Sequence, residues 1–231
     1  MSANVIHASA VIGPGVHLGS GNTVGPFVVL LGPLQIGDDN WIGAHTVLGA
    51  PAEIKGIEHG AAWNGDLVGT GLTIGSRNVF REFVTVHQGH YDTTTVGAGC
   101  YFMNKVYIGH DGRIGDGITM ASSVTLGGHV HVGDGANLGM SSVVHQRRVI
   151  GPGAMVGMSS VVTRDVPPFA KAYGSPCRVR GVNAVGMSRA GLPQEAADFL
   201  DVPYRQGALP RNREPEVLRP AWEWWRQHAG A

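Results

Sequence analysis

GITMASSVTLGGHVHVGDGANLGMSSVV, residues Gly117 to Val144, places an aliphatic side chain at every sixth position: Met120, Leu126, Val132, Leu138 and Val144. A period of six suits neither an amphipathic helix nor a simple series of hairpins. It is the spacing of hexapeptide β-helix repeats. The register extends backward through Ile114, Ile108, Phe102 and Val96, and forward through Ile150, Val156 and Val162. Nearer the N-terminus the same rhythm shows as Ile12-Gly13, Leu18-Gly19, Val24-Gly25, Ile36-Gly37, Ile42-Gly43 and Leu48-Gly49. In such a chain each short strand turns one aliphatic residue inward. A tight corner follows, where glycine tolerates positive φ. Three strands close a triangular coil of about 18 residues, and successive coils stack at the inter-strand spacing of about 4.8 Å. The predicted fold is therefore an all-β parallel β-helix.

Small residues are expected to point inward two positions before each aliphatic one. Thr46, Cys100, Val106, Ala136, Ser142, Ala154 and Ser160 fit that rule. Arg148 does not, because an unpaired guanidinium cannot sit in an apolar core; either the coil distorts there or the side chain turns out. Two insertions interrupt the register, GAPAEIKGIEHGAAWNGDLVG after Leu48 and HQGHYDTTT after Val86. They predict loops over about 50–67 and 87–95 leaving the prism, and loops on a rigid scaffold are where function concentrates. The repeat stops after Val162. The reading is a β-helix over 1–180 followed by a short α-helical C-terminal region over 181–231. There PQEAADFLDVPYR and EPEVLRPAWEWWRQHAG each open with an early proline, a helix-start signal. Trp222, Trp224 and Trp225 are expected to pack onto the prism or a neighbouring subunit.

Composition narrows the function. The 231 residues carry a formal net charge of zero, which speaks against a nucleic-acid surface. The opening MSANVIHASA has no signal-peptide pattern, and no apolar run is long enough to span a bilayer. Cys100 and Cys177 form no CxxC pair, so neither a disulfide framework nor a structural zinc site is expected. A cytoplasmic protein is the expectation. The 36 glycines, well above the usual share of roughly 7%, are explained by the repeat.

The coil length also says which side chains meet. Residues 18 apart stack, so Gly128 and then Gln146 lie above His110, with His129 and His145 one position off that column. Correcting the register for the second insertion brings His87 one coil below His110. His110 follows inward Ile108 by two residues and so faces out at a corner. There an imidazole can take a proton from a hydroxyl or an amine. The side-chain-free Gly128 N–H is placed to stabilise an oxyanion. Asp111 orients the ring only if the corner turns the two side chains together, since neighbours in a strand point apart. A metal site of the kind found in β-helix carbonic anhydrases would want a histidine five residues before His110, where Lys105 stands instead. No metal and no cofactor are expected. A purely structural β-helix would not need this polar column.

These residues resemble the acyl-carrier-protein-dependent UDP-N-acetylglucosamine O-acyltransferases of lipid A biosynthesis. The likeness runs from IHASAVIGPGVHLG through REFVTVHQG, IGHDGRIG, TLGGHVHVG, SSVVHQRRVIG and VTRDVPPFAKAYGSP to RGVNAVGMSRAGL. The resemblance implies a left-handed β-helix and a homotrimer. It implies an acyl carrier protein (or coenzyme A) thioester as donor and a sugar nucleotide as acceptor. It assigns His110 as the general base for the sugar 3-hydroxyl and Gly128 as oxyanion donor. His87, Tyr107, His129, His145 and Gln146 fall at substrate-lining positions, and Asn183 and Arg189 at nucleotide-side positions.

Several positions depart from the family pattern. Tyr107 stands where the family has a histidine three residues before the base. Val185 replaces a carboxylate and Ala190 an arginine in the nucleotide segment. The first insertion lacks the family's Asp-Leu-Lys-Tyr run, for which Lys55 and Asp66 are candidate substitutes. These departures keep N-acylation of a UDP-amino-sugar, or acylation of another sugar, as the alternative. Met140 and Met158 share a corner column with Asn104 and Ser122, and a thioether at Met158 would shorten an acyl groove, favouring a medium or short acyl chain. No serine or cysteine lies in a nucleophile-elbow context, so direct transfer is expected.

Overall fold

The computed structural model describes residues 2–57, 60, 64, 69–210 and 213–230. Short parallel strands wind into a prism with three faces. Face I holds ten strands, from Val5–Ile6 to Arg178–Val182; face II holds eight, from Val11–Ile12 to Val161–Val162; face III holds seven, from Val16–Leu18 to Val149–Ile150. The register is the predicted one: Ile108 pairs with Leu126, and Leu126 with Val144. Across the second insertion Val86 pairs with Ile108, as the corrected stacking required. The run from Val96 to Val162 fills the core, every member at most 3% exposed. The first coil lies open, with Val5, Ile6, Val11 and Ile12 exposed.

Beside the aliphatic interior, Asn22, Asn40 and Asn78 form a buried ladder. Each side-chain oxygen accepts the backbone N–H one coil on, ending at the Cys100 N–H. Buried amides are tolerable only when paired in this way.

The corners correct the expected use of glycine. Their left-handed position is often a non-glycine residue, such as Lys105, Asp111, Ser123 or His129. The glycine after an aliphatic residue serves clearance instead. A Cβ on Gly127 would stand 2.7 Å from the Gln146 nitrogen of the next coil, and one on Gly109 only 2.9 Å from the Gly128 nitrogen.

Arg148 turns out without distorting the coil. His131 and Val149 keep their parallel pairing, and the guanidinium meets Asp165 at 3.2 Å. The prism also continues past the last legible repeat. Ala170–Tyr173 pairs in parallel with Met155–Val156, and Arg178–Val182 then folds back antiparallel, closing the end of face I. Three helices follow: α1 (Ala184–Arg189), α2 (Gln194–Arg205) and α3 (Arg219–His228). The last two fall where the prolines placed them; α1 occupies the segment read as nucleotide-binding. Leu200 and Tyr204 of α2 are fully buried, and the Tyr204 hydroxyl donates to the Pro168 carbonyl at 2.6 Å. Trp222 and Trp225 of α3 are buried as expected, while Trp224 stacks on His228 at 4.3 Å. Among the described residues no helix is long and apolar enough to cross a membrane.

Candidate active site

His110 and Asp111 sit at the corner joining faces II and III. Asp111 takes φ 57°, and this turn supplies the geometry that an extended strand would deny. The two side chains converge, His110 Nδ1 lying 2.5 Å from Asp111 Oδ2. The other carboxylate oxygen accepts three backbone N–H groups, from His90, Tyr91 and Asp92, at 2.9, 2.8 and 2.7 Å. The second insertion is therefore a cradle for this carboxylate. Burial alone would raise the Asp111 pKa. The hydrogen bonds from His110, Asp92, Tyr91 and His90 outweigh it and hold the carboxyl below its ordinary value. An ionised, immobile Asp111 makes Nδ1 the protonated nitrogen of His110 and leaves Nε2 a lone pair.

Nε2 faces the coil above. A Cβ on Gly128 would lie 2.7 Å from both Nε2 and Cε1 of His110, so only glycine fits over the ring. Among the described residues no carbonyl accepts the Gly128 N–H. Gly109 keeps that amide clear, a role missed in the sequence because the glycine reads as one more repeat residue. Above this corner a cleft of about 450 Å³ runs onto face II, lined by Glu53, Tyr107, His110, Gly128, His145 and Gln146 with Thr125, Val143 and Val161 beyond. Its apolar lining comes from Val143, Val144, Val161 and Val162.

The remaining expected residues divide. His145 and Gln146 line the cleft, and so does Tyr107, whose hydroxyl donates to Glu53 Oε2. His129 lies behind the base: its ring is 5.2 Å from His110, with Nε2 3.7 Å from Asp111 Oδ2. Burial, more than the neighbouring charges, lowers its pKa. His87 is buried, and its Nδ1 donates to the Pro51 carbonyl at 2.6 Å, so it braces the root of the first insertion.

Asn183, expected on the nucleotide side, also holds the start of α1. Its amide caps α1 by accepting the Gly186 N–H at 3.1 Å and donates to the Gly153 carbonyl at 2.9 Å. Arg189 is exposed on the last turn of α1, outside the lining of the cleft. Met140 and Met158 are exposed at the face I–face II corner, at 52% and 73%, beyond the lining of the cleft, whose apolar wall is Val143 and Val161. Lys55 is exposed and does not line the cleft; Asp66 lies outside the described residues. Glu53, absent from the sequence-derived set, is the acid that does line it.

His110, Asp111 and His129 hold ligand-type atoms within 4.8 Å of one another. A cation there would compete with bonds already made, since Asp111 gives one oxygen to three N–H groups and the other to His110.

A hexapeptide β-helix with a carboxylate-backed histidine opening on a half-apolar cleft fits an acyltransferase. Comparison with known proteins makes the assignment particular. Residues 165–209 match the family model described as UDP N-acetylglucosamine O-acyltransferase, domain 2. The chain is 41% identical over 180 residues to the acyl-[acyl-carrier-protein]–UDP-N-acetylglucosamine O-acyltransferase of Anaeromyxobacter sp. (strain Fw109-5), covering 76% of this chain and 66% of that relative. It is 36% identical over 222 residues to the enzyme of the same name from Paraburkholderia xenovorans, covering 87% and 81%. The solved UDP-N-acetylglucosamine acyltransferase of Arabidopsis superposes with a TM-score of 0.72 at 28% identity, over 97% of this chain and 88% of that one. The chain belongs to the acyl-[acyl-carrier-protein]–UDP-N-acetylglucosamine O-acyltransferase family.

Proposed function

We propose that the protein transfers an acyl group from an acyl carrier protein thioester to the 3-hydroxyl of UDP-N-acetylglucosamine or a close sugar nucleotide. The observation that carries this reading is the His110–Asp111 pair at 2.5 Å with Nε2 turned to the cleft under Gly128. Nε2 accepts the hydroxyl proton as the sugar oxygen attacks the thioester carbonyl. The Gly128 N–H donates to the oxyanion, and His110 returns the proton to the departing thiolate as the carbon–sulfur bond breaks. Asp111 holds the ring in its tautomer and stabilises the imidazolium. The Val143–Val161 wall takes the start of the acyl chain, and a chain running past Val161 meets the Met158 thioether at the face I–face II corner, which favours a medium or short chain. Family membership supports a homotrimer, and two free buried cysteines, Cys100 and Cys177, fit a cytoplasmic setting.

The test is a panel of acyl thioesters, C4 to C16 on carrier protein and on coenzyme A, against UDP-N-acetylglucosamine and its 3-amino analogue. The expected result is an O-acylated product from carrier-protein thioesters of ten carbons or fewer. Product on the 3-amino analogue alone would establish N-acylation instead.

A further inference from the structure

We propose that the cavity between the end of the prism and helices α2 and α3 is a second binding site, separate from the cleft. Its ligand is a single-chain amphipathic anion, a carboxylate or phosphate carried on an alkyl tail.

The cavity holds about 280 Å³ and shares no lining residue with the cleft at His110. Its walls are apolar, formed by Val166, Val179 and Leu209 with the rings of Tyr204 and Trp225. The Tyr204 hydroxyl is already given to the Pro168 carbonyl, so that side chain offers the cavity hydrocarbon. The volume lies at the small end of ligand pockets, which run from roughly 300 to 1,000 Å³, and suits one chain rather than a two-chain lipid. Leu209 and Trp225 also line a neighbouring cavity of about 190 Å³ between α2 and α3. The charged groups there, Glu214 and Arg226, pair with each other at 3.0 Å. An alkyl tail can therefore run on past Trp225 without stranding a charge.

The polar part of the lining is positive. Arg164 and Arg178 both line the first cavity and are exposed. Among the described residues neither stands in an ion pair, and Arg178 donates to the Cys177 carbonyl at 2.9 Å. The acid of the lining, Asp165, is engaged elsewhere. Its Oδ1 takes Arg148 at 3.2 Å and the Val149 N–H at 2.9 Å. Two guanidinium groups beside an apolar space call for an anionic head, which their N–H forks bind in charge-assisted pairs. The walls behind them call for a tail that gains by leaving water.

Cys177 lines the same cavity, whereas Cys100 is buried in the prism core, so the thiol is a built-in reporter. The experiment is modification of the full-length protein by methyl methanethiosulfonate, read by peptide mass. It is run at alkaline pH because burial pushes the Cys177 thiol up. Decanoate, decyl phosphate and decanol are compared, each below its micelle concentration. Either anion is expected to slow Cys177 modification about tenfold when present at about ten times its Kd. The same protection is expected in Val143→Trp, whose indole fills the cleft. Decanol should need about tenfold more, and so should both anions in the Arg164→Gln, Arg178→Gln double variant. The double lysine variant, which keeps the charge, should restore most of the protection. Whichever anion acts at the lower concentration identifies the head group. Equal protection by decanol, protection that survives the loss of both arginines, or protection abolished in Val143→Trp would overturn the inference. So would a Cys177 that stays unmodified in the free protein, because a cavity closed to a small thiol reagent is closed to an alkyl chain.

Discussion

Two corners of one prism show what turns a scaffold into a site. At the corner between faces III and I, Asp38, Asp116 and Asp134 each lend a carboxylate oxygen to one N–H of the coil 18 residues earlier, at 2.7, 2.7 and 2.9 Å. These carboxylates are solvated and do nothing but pin coil to coil. At the corner between faces II and III, Asp111 is buried, takes three N–H groups from the second insertion, and gives its other oxygen to His110. The residue type is the same. The insertion makes the difference, by desolvating the carboxylate and meeting its charge with dipoles that cannot move.

Breaking the pair at the two corners should have unequal consequences. Replacing His110 by alanine is expected to lower kcat by roughly 10² to 10⁴, the usual share of a general base. Asp116→Ala or Asp134→Ala should cost about 1 kcal/mol of stability and leave turnover at the wild-type level. Comparable losses at both corners would erase the distinction.

Asp111→Asn comes next, with an expected drop of roughly 10²-fold in kcat, because the ring loses both its tautomer lock and its counter-charge. It also carries a stability signature. Asp111 has a folded pKa below its unfolded value, so its contribution is present above about pH 4 and is lost as pH falls through the lower folded value. The gap in melting temperature between wild type and Asp111→Asn should therefore close in acid. A gap constant from pH 7 to pH 2.5 would contradict the ionised cradle.

Gly128→Ala sharpens the comparison through sterics. The new methyl meets the His110 ring at 2.7 Å, and about a tenfold loss of kcat is expected as the ring is pushed aside. Gly135→Ala at the scaffold corner meets nothing within 4 Å but sits at φ +66°, so it should cost stability and not turnover.

The smallest effect lies on face III, between the two corners. His131 packs 5.3 Å from His228 of α3, and its Nδ1 is buried without a partner among the described residues. Burial first, then His228, Arg113 and His129, push its pKa down to about 4, against a weaker upward pull from Asp92. A depressed histidine stabilises above its unfolded value near 6.5, and that contribution is lost as pH falls toward about 4. Tryptophan fluorescence of α3 should report loosening over that window, and His131→Gln should flatten it. Identical pH profiles for the two would remove His131 from the account.

The legible part of this molecule is the part that repeats. Inward Val96 to Val162 and the His110–Gly128–Gln146 column follow from an 18-residue coil and need nothing more. What escaped was whatever leaves the period or depends on a turn. The pairing of His110 with Asp111 requires a left-handed residue, which a strand pattern does not announce. Glu53 sits in an insertion where spacing carries no register. The cap that Asn183 makes on α1 is not announced by the sequence, because capping and ligand binding draw on the same amide. Met140 and Met158 share the column that the 18-residue coil requires, and what the repeat does not give is how far that corner stands from the Val143–Val161 wall.

Base catalysis by His110 requires its proton on Nδ1, against Asp111, with Nε2 free to accept one. Long-range nitrogen–proton NMR of the imidazole in the uncomplexed protein near pH 8 tests this directly. The expected spectrum shows the Nδ1-protonated tautomer, shifting toward a tautomeric mixture in Asp111→Asn. A ring protonated on Nε2, indifferent to Asp111, would contradict it.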